Sequence, residues 1–148
     1  MPDELRQKAI RLLARREHTR AELARKLAAY GTPEEIATLL ADMQAAQLQS
    51  DTRAAESYVR SHADRLGASR LRQNLKTRGV ASELIDAQLA PDALPNELDR
   101  ARTVWRKKFP DAPTDAQEWA RQARFLQARG FASDIIRRLL KEPAGATD

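Results

Sequence analysis

No cysteine occurs anywhere in the chain. Disulfides and thiolate metal sites are therefore excluded, and the usage fits a reducing compartment. Glycine is held to 5 positions, and none of them builds a phosphate-cradling loop. No apolar run approaches the roughly 20 residues that cross a bilayer, and MPDELRQKA at the start lacks the basic-then-apolar pattern of a signal peptide. No stretch alternates with period two, so no sheet is expected. Catalytic constellations are missing too. His18 and His62 lie at a helix start and on an apolar stripe, where packing is their role. No His, Asp and Glu set has metal-ligand spacing. Ser82 follows Gly79 in GVASEL without the nucleophile elbow or the strand that precedes one. The chain is thus expected to be soluble and cytoplasmic, without enzymatic activity, cofactor, metal or membrane segment.

What the sequence does have is positive charge and repetition. The formal net charge is +5 and the isoelectric point about 10.0. Arginine supplies 20 of the 26 bases. Its planar fork suits phosphates and carboxylates, so nucleic acid or an acidic protein surface is a natural partner. A high-GC genome, whose codons favour Arg and Ala, accounts for the same composition, and composition alone does not separate the two.

One phrase is written three times: LAAYGTPEEIA at 27–37, LKTRGVASELI at 75–85 and LQARGFASDII at 126–136. Aligned on Gly31, Gly79 and Gly130, each copy has Leu four residues earlier (Leu27, Leu75, Leu126). Each has an acid four residues later (Glu35, Glu83, Asp134). This is the signature of one helix ending and the next beginning. Glycine fits the left-handed position that closes a helix, and the acid meets the positive end of the following helix dipole. Thr32, Pro33 and Glu35 spell out an N-cap, a first helical residue and a capping-box partner, and Thr19 with Glu22 repeats the box before a helix at 19–30. In the later copies Ala81 and Ala132 weaken the cap or shift it to Ser82 and Ser133.

Upstream of each phrase one further helix follows the spacing of a single buried face. Its stripes are Leu5, Ala9, Leu12 and Leu13; then Ala55, Tyr58, Val59, His62 and Leu66; then Leu98, Ala101, Trp105 and Phe109. Tyr58 and Phe125 are assigned to the core as well, Phe131 follows Gly130 as a staple against the next helix, and Trp119, at the start of helix eight, is ambiguous, with the core the favoured place. The expected fold is all-α: three tandem three-helix repeats, about nine helices, elongated and without a sheet. The repeats are bounded as 1–49, 50–91 and 92–142, with a flexible tail at 143–148. Pro91 and Pro95 mark the second join. Each unit is too small for much core of its own and should lean on its neighbours.

In residues 9–27, 50–80 and 125–140 the chain resembles the RecX regulatory proteins of bacteria, in order and over nearly its whole length. It departs at Ala54, where members usually carry Phe after the Asp-x-Arg of 51–53. The resemblance implies tandem three-helix repeats that bind the RecA recombinase filament on DNA. It implies suppression of strand exchange, ATP hydrolysis and coprotease activity, and weak binding of single- or double-stranded DNA. The working unit is expected to be a monomer. A free-standing helical DNA-binding module of homeodomain-like units is the alternative.

Charge placement suggests where partners bind. Residues 60–78 carry six bases (Arg60, Arg65, Arg70, Arg72, Lys76, Arg78) against Asp64 alone. Residues 100–109 carry five bases and no acid, whereas 32–56 holds five acids against Arg53. The expected contacts to partner or nucleic acid are those six bases with Arg106, Lys107, Lys108 and Arg129. The helix at 68–78 follows a short turn and carries bases, as recognition helices do.

Overall fold

A computed structural model of the chain describes residues 2–141. The segment 142–148, expected to be a flexible tail from 143 onward, lies outside the described residues. Among these residues there are nine helices and no strand. They are α1 (Pro2–Arg15), α2 (Arg20–Leu27), α3 (Pro33–Ala45), α4 (Asp51–His62), α5 (Ala68–Thr77), α6 (Ser82–Gln88), α7 (Glu97–Lys108), α8 (Ala116–Ala128) and α9 (Ser133–Leu140). Among the described residues no helix is long and apolar enough to cross a membrane.

The chain forms two compact units. One takes residues up to Tyr58 together with Leu75–Ile85; the other takes Val59–Asn74 and the chain from Asp86 onward. In the first, Leu5 and Ala9 of α1, Leu23 and Leu27 of α2, and Ile36, Leu39, Leu40 and Met43 of α3 make one core. In the second, Ala101, Val104 and Trp105 of α7 pack with Phe109, Leu126 of α8, Phe131, and Ile136, Leu139 and Leu140 of α9. Full burial of each such Leu or Ile is worth roughly 1.5–3 kcal/mol. The buried residues of the middle repeat divide between the units, with Tyr58, Leu75 and Ile85 in the first and Val59 and Leu71 in the second.

Both expected capping boxes form: Thr19 with Glu22 and Thr32 with Glu35. The helix ends divide the three phrases. At Gly79 (φ +89°) and Gly130 (φ +91°) the backbone is left-handed. There the N–H of Val80 donates to Leu75 O at 3.1 Å and that of Phe131 to Leu126 O at 3.2 Å. This is the Schellman closure, in which the residue after glycine packs on the leucine five before it. Gly31 does not adopt this conformation, contrary to the sequence expectation. The residue after it is Thr32, a polar N-cap, so the apolar contact that completes the closure is missing. The helix expected to reach residue 30 accordingly ends at Leu27. The same closure appears unannounced at the end of α3. Gln47 takes φ 61°, and Leu48 N–H donates to Met43 O at 2.9 Å.

The phrase also ties successive repeats together, in the same way twice. Within the first unit, Thr19 Oγ1 donates to Arg78 O at 2.5 Å, Arg20 N–H donates to Asp51 Oδ1 at 2.8 Å, and Gly79 lies bare against Ala21. Within the second, Gly67 N–H donates to Arg129 O at 2.7 Å, Ala68 N–H donates to Glu97 Oε1 at 3.2 Å, and Gly130 lies bare against Arg70. In both, the N–H of the first helical residue of one repeat's second helix is met by a carboxylate of the next repeat. The carbonyl of the next repeat's Arg-Gly turn accepts at the residue before it, from the Thr19 hydroxyl in the first joint and from the Gly67 N–H in the second. Glu97 also accepts from Ala132 N–H at 3.2 Å, which serves α9 in place of a side-chain cap. Arg100, buried, donates to Ala63 O at 2.9 Å and Leu66 O at 2.6 Å. It thereby satisfies carbonyls just beyond the C-terminal end of α4.

Candidate nucleic-acid and partner interface

The bases expected to reach a partner are not equivalent once folded. Arg60 on α4 and Arg70 on α5 are exposed and meet no acid among the described residues. Arg65 is exposed, with Asp64 at 3.8 Å. Arg72 pairs with Asp86 at 2.7 Å, both about half exposed or more, an attraction worth about 0–1 kcal/mol and easily given up. All four belong to the second unit; Lys76, exposed on the last turn of α5, belongs to the first.

Arg78 is committed elsewhere. Its Nη1 donates to Glu22 Oε2 at 3.2 Å, and its guanidinium stacks 4.5 Å from the Tyr58 ring. Glu22 is buried and also takes Arg16 Nη2 at 2.8 Å and Thr19 N–H at 2.9 Å. Burial pushes the Glu22 carboxyl pKa up. The Arg16 and Thr19 hydrogen bonds and the charges of Arg16 and Arg78 outweigh that and bring it down to about 2. Nearby His18 is buried, and its pKa is lowered, first by burial. The neutral ring suits its neighbours, with Nδ1–H facing Arg16 O at 3.0 Å and Nε2 facing Lys26 Nζ at 3.0 Å.

The third repeat builds a second basic surface on an aromatic pair. Phe109 and Phe125 meet edge to face, with centroids 5.4 Å apart. Lys108 Nζ lies 5.7 Å from the Phe125 centroid and Arg129 Cζ 4.9 Å from it, while Arg121 Cζ lies 5.2 Å from Phe109. Arg106 and Lys107 are exposed beside Lys108. A cation held over a ring face keeps its N–H groups free for phosphate or carboxylate oxygens, at an attraction of about 0.5–1 kcal/mol when exposed. Trp105 is not part of this surface. It is buried and donates its indole N–H to Gln122 Oε1 at 2.6 Å. Trp119, for which the sequence favours the core without deciding it, is 38% exposed.

Three family descriptions match consecutive parts of the chain: the first three-helix domain of RecX over residues 6–38, the second over 50–89 and the third over 96–140. The regulatory protein RecX of Leptothrix cholodnii is 48% identical over 140 residues, covering 93% of this chain and 87% of that one. The chain belongs to the RecX family. The regulatory protein RecX of Chromobacterium violaceum is 43% identical over 145 residues, 97% of this chain and 91% of its own. The crystal structure of RecX from Lactobacillus salivarius superposes with a TM-score of 0.75 at 20% identity, over 95% of this chain and 94% of that one. A second RecX crystal structure gives 0.77 at 22% identity, over 95% and 73%. At these identities the two structures establish the all-helical RecX fold.

Within that fold, sequence reasoning passed over Arg121 and Arg124, both exposed on α8. The signal was present: Arg121, Phe125 and Arg129 recur every four residues, which places them along one helix face. Among the described residues no group of His, Asp and Glu could hold a metal ion.

Proposed function

We propose that this RecX protein binds the RecA recombinase filament on DNA and mainly inhibits its recombinase, ATPase and coprotease activities. The observation that carries the reading is the match to all three RecX domains in order across residues 6–140. Repeats at 1–49, 50–91 and 92–142 act as one regulator in the cytoplasm, with no catalytic step of their own. Arg60, Arg65, Arg70, Arg72 and Lys76 in the middle repeat contact partner or DNA weakly. So do Arg106, Lys107, Lys108 and Arg129 in the third. The exposed bases support this, because they lie free or in pairs too weak to hold them.

Adding the protein to RecA on single-stranded DNA with ATP is expected to lower hydrolysis at substoichiometric amounts. Unchanged turnover and filament length at equimolar protein would refute the reading. Reversing Arg106, Lys107 and Lys108 to Glu is expected to leave far-UV helicity intact. It should also reduce the slope of log affinity for DNA against log salt by roughly 2–3. Arg78→Glu behaves differently. It places a second carboxylate beside buried Glu22, so it lowers the melting temperature before any binding is measured.

A further inference from the structure

The chain makes the same joint twice and carries each half of it once more, unmatched. The receiving half is the first turn of the second helix of a repeat, at Thr19–Arg20 and at Gly67–Ala68. The inserting half is an acid at the start of the next repeat's first helix, together with the carbonyl just before the phrase glycine. In the third repeat the receiving half is the start of α8. Asp115 caps its own helix through Glu118 N–H at 2.8 Å. Among the described residues no carboxylate reaches Ala116 N–H and no carbonyl reaches Asp115 N–H. Asp115, Ala116 and Gln117 are exposed, and Trp119 beside them is the one exposed tryptophan. In the first repeat the inserting half is Asp3 and Glu4 in the first turn of α1 with the carbonyl of Tyr30. Among the described residues none of these three groups takes a partner. Lys8 covers one face of the Tyr30 ring at 4.8 Å, yet the residue is 55% exposed.

We propose that a second copy of this chain docks its first repeat on the start of α8, so that the internal joint recurs between molecules. Asp3 or Glu4 of the incoming copy accepts from Ala116 N–H, its Tyr30 carbonyl accepts from Asp115 N–H, and its Tyr30 ring meets Trp119. The contact is heterologous, with different surfaces on the two partners, so it propagates as a head-to-tail row rather than closing as a dimer. Tyr30 stands where the internal joints have Arg, and Gly31 lacks their left-handed turn. The joint is therefore weaker than its internal counterparts. Dilute protein stays monomeric, and rows form where copies are concentrated along a common polymer. This inference goes beyond the proposed function and needs no recombinase.

The chain's lack of cysteine supplies the test. Ala29→Cys is placed in one preparation and Gln117→Cys in another, and equal amounts are mixed under mild oxidation at high concentration. The mixed disulfide is expected to exceed each like pair by at least about tenfold, as a heterologous contact requires. Asp3→Lys with Glu4→Lys in the Ala29→Cys chain should abolish that excess at unchanged far-UV helicity. Removal of residues 142–148 should leave it unchanged. Pairs at the statistical ratio, or none, would overturn the proposal. So would an excess seen only after removing 142–148, because that segment would then be what covers α8.

Discussion

Gly130→Ala is expected to lower the melting temperature by about 6–12 °C, through a loss of about 3 kcal/mol at roughly 2–4 °C per kcal/mol for a chain of this size. Two effects add. Alanine at φ +91° carries the left-handed penalty of roughly 1–2 kcal/mol. Its methyl group would also sit on the backbone and Cβ of Arg70, and a helix backbone cannot step aside as a flexible side chain can. Gly31→Ala is the control. Gly31 is not left-handed, and the nearest atom to an added methyl is Leu5 Cδ2 at 3.1 Å. That change should stay within about 1 kcal/mol of neutral, since lost unfolded-state freedom offsets a small shift of Leu5. Thermal melts followed by circular dichroism separate the two. Equal losses at both positions would show that neither the left-handed turn nor the approach to Arg70 sets the cost at Gly130.

Much of this architecture is legible in the residues, because the signals are local. Thr19-x-x-Glu22 and Thr32-x-x-Glu35 state their helix starts, and the capping boxes form where the spacing puts them. Leu75 and Leu126 with a glycine four residues on and an apolar residue after it specify a Schellman closure. The same pattern read at Leu27 misleads, because Thr32 replaces the apolar residue that completes it. Gln47 conceals a closure for the opposite reason. Met43 and Leu48 supply the apolar pair five residues apart, but the left-handed residue between them is not glycine.

The charged residues were less legible, because exposure is a property of the fold. Arg70, Arg72 and Arg78 look alike in a basic run. Yet Arg70 faces solvent, Arg72 holds a surface partner, and Arg78 closes over Glu22 and Tyr58. Arg100 sits in a run of bases and is buried, donating to the carbonyls of Ala63 and Leu66. No local spacing distinguishes an arginine that grips carbonyls 34 and 37 residues away from one that waits for phosphate. Trp119 failed similarly: an apolar residue in the first turn of a helix is buried only if a neighbouring element covers that turn, as happens at α2 and α5.

Glu22 provides the largest pH effect. Its carboxyl has a pKa of about 2 in the folded protein, against about 4.3 in an unfolded chain. The unfolded state therefore binds the proton first as pH falls. The stabilisation is fully present above about pH 5 and drains away as the pH drops toward 2. It amounts to about 2 kcal/mol, after discounting for the solvent that reaches Arg16, whose side chain is 44% exposed. Glu22→Gln removes the titrating group and leaves Arg16 and Arg78 facing a neutral amide beside a buried cap. It should cost roughly 2–4 kcal/mol at pH 7. It should also flatten the dependence of melting temperature on pH between 5 and 2, where the parent chain is steepest. Below pH 2 the two proteins should approach one another. If the variant keeps the parent's acid slope, some other carboxylate governs acid unfolding, and the Glu22, Arg16 and Arg78 cluster is not the electrostatic centre of the first joint.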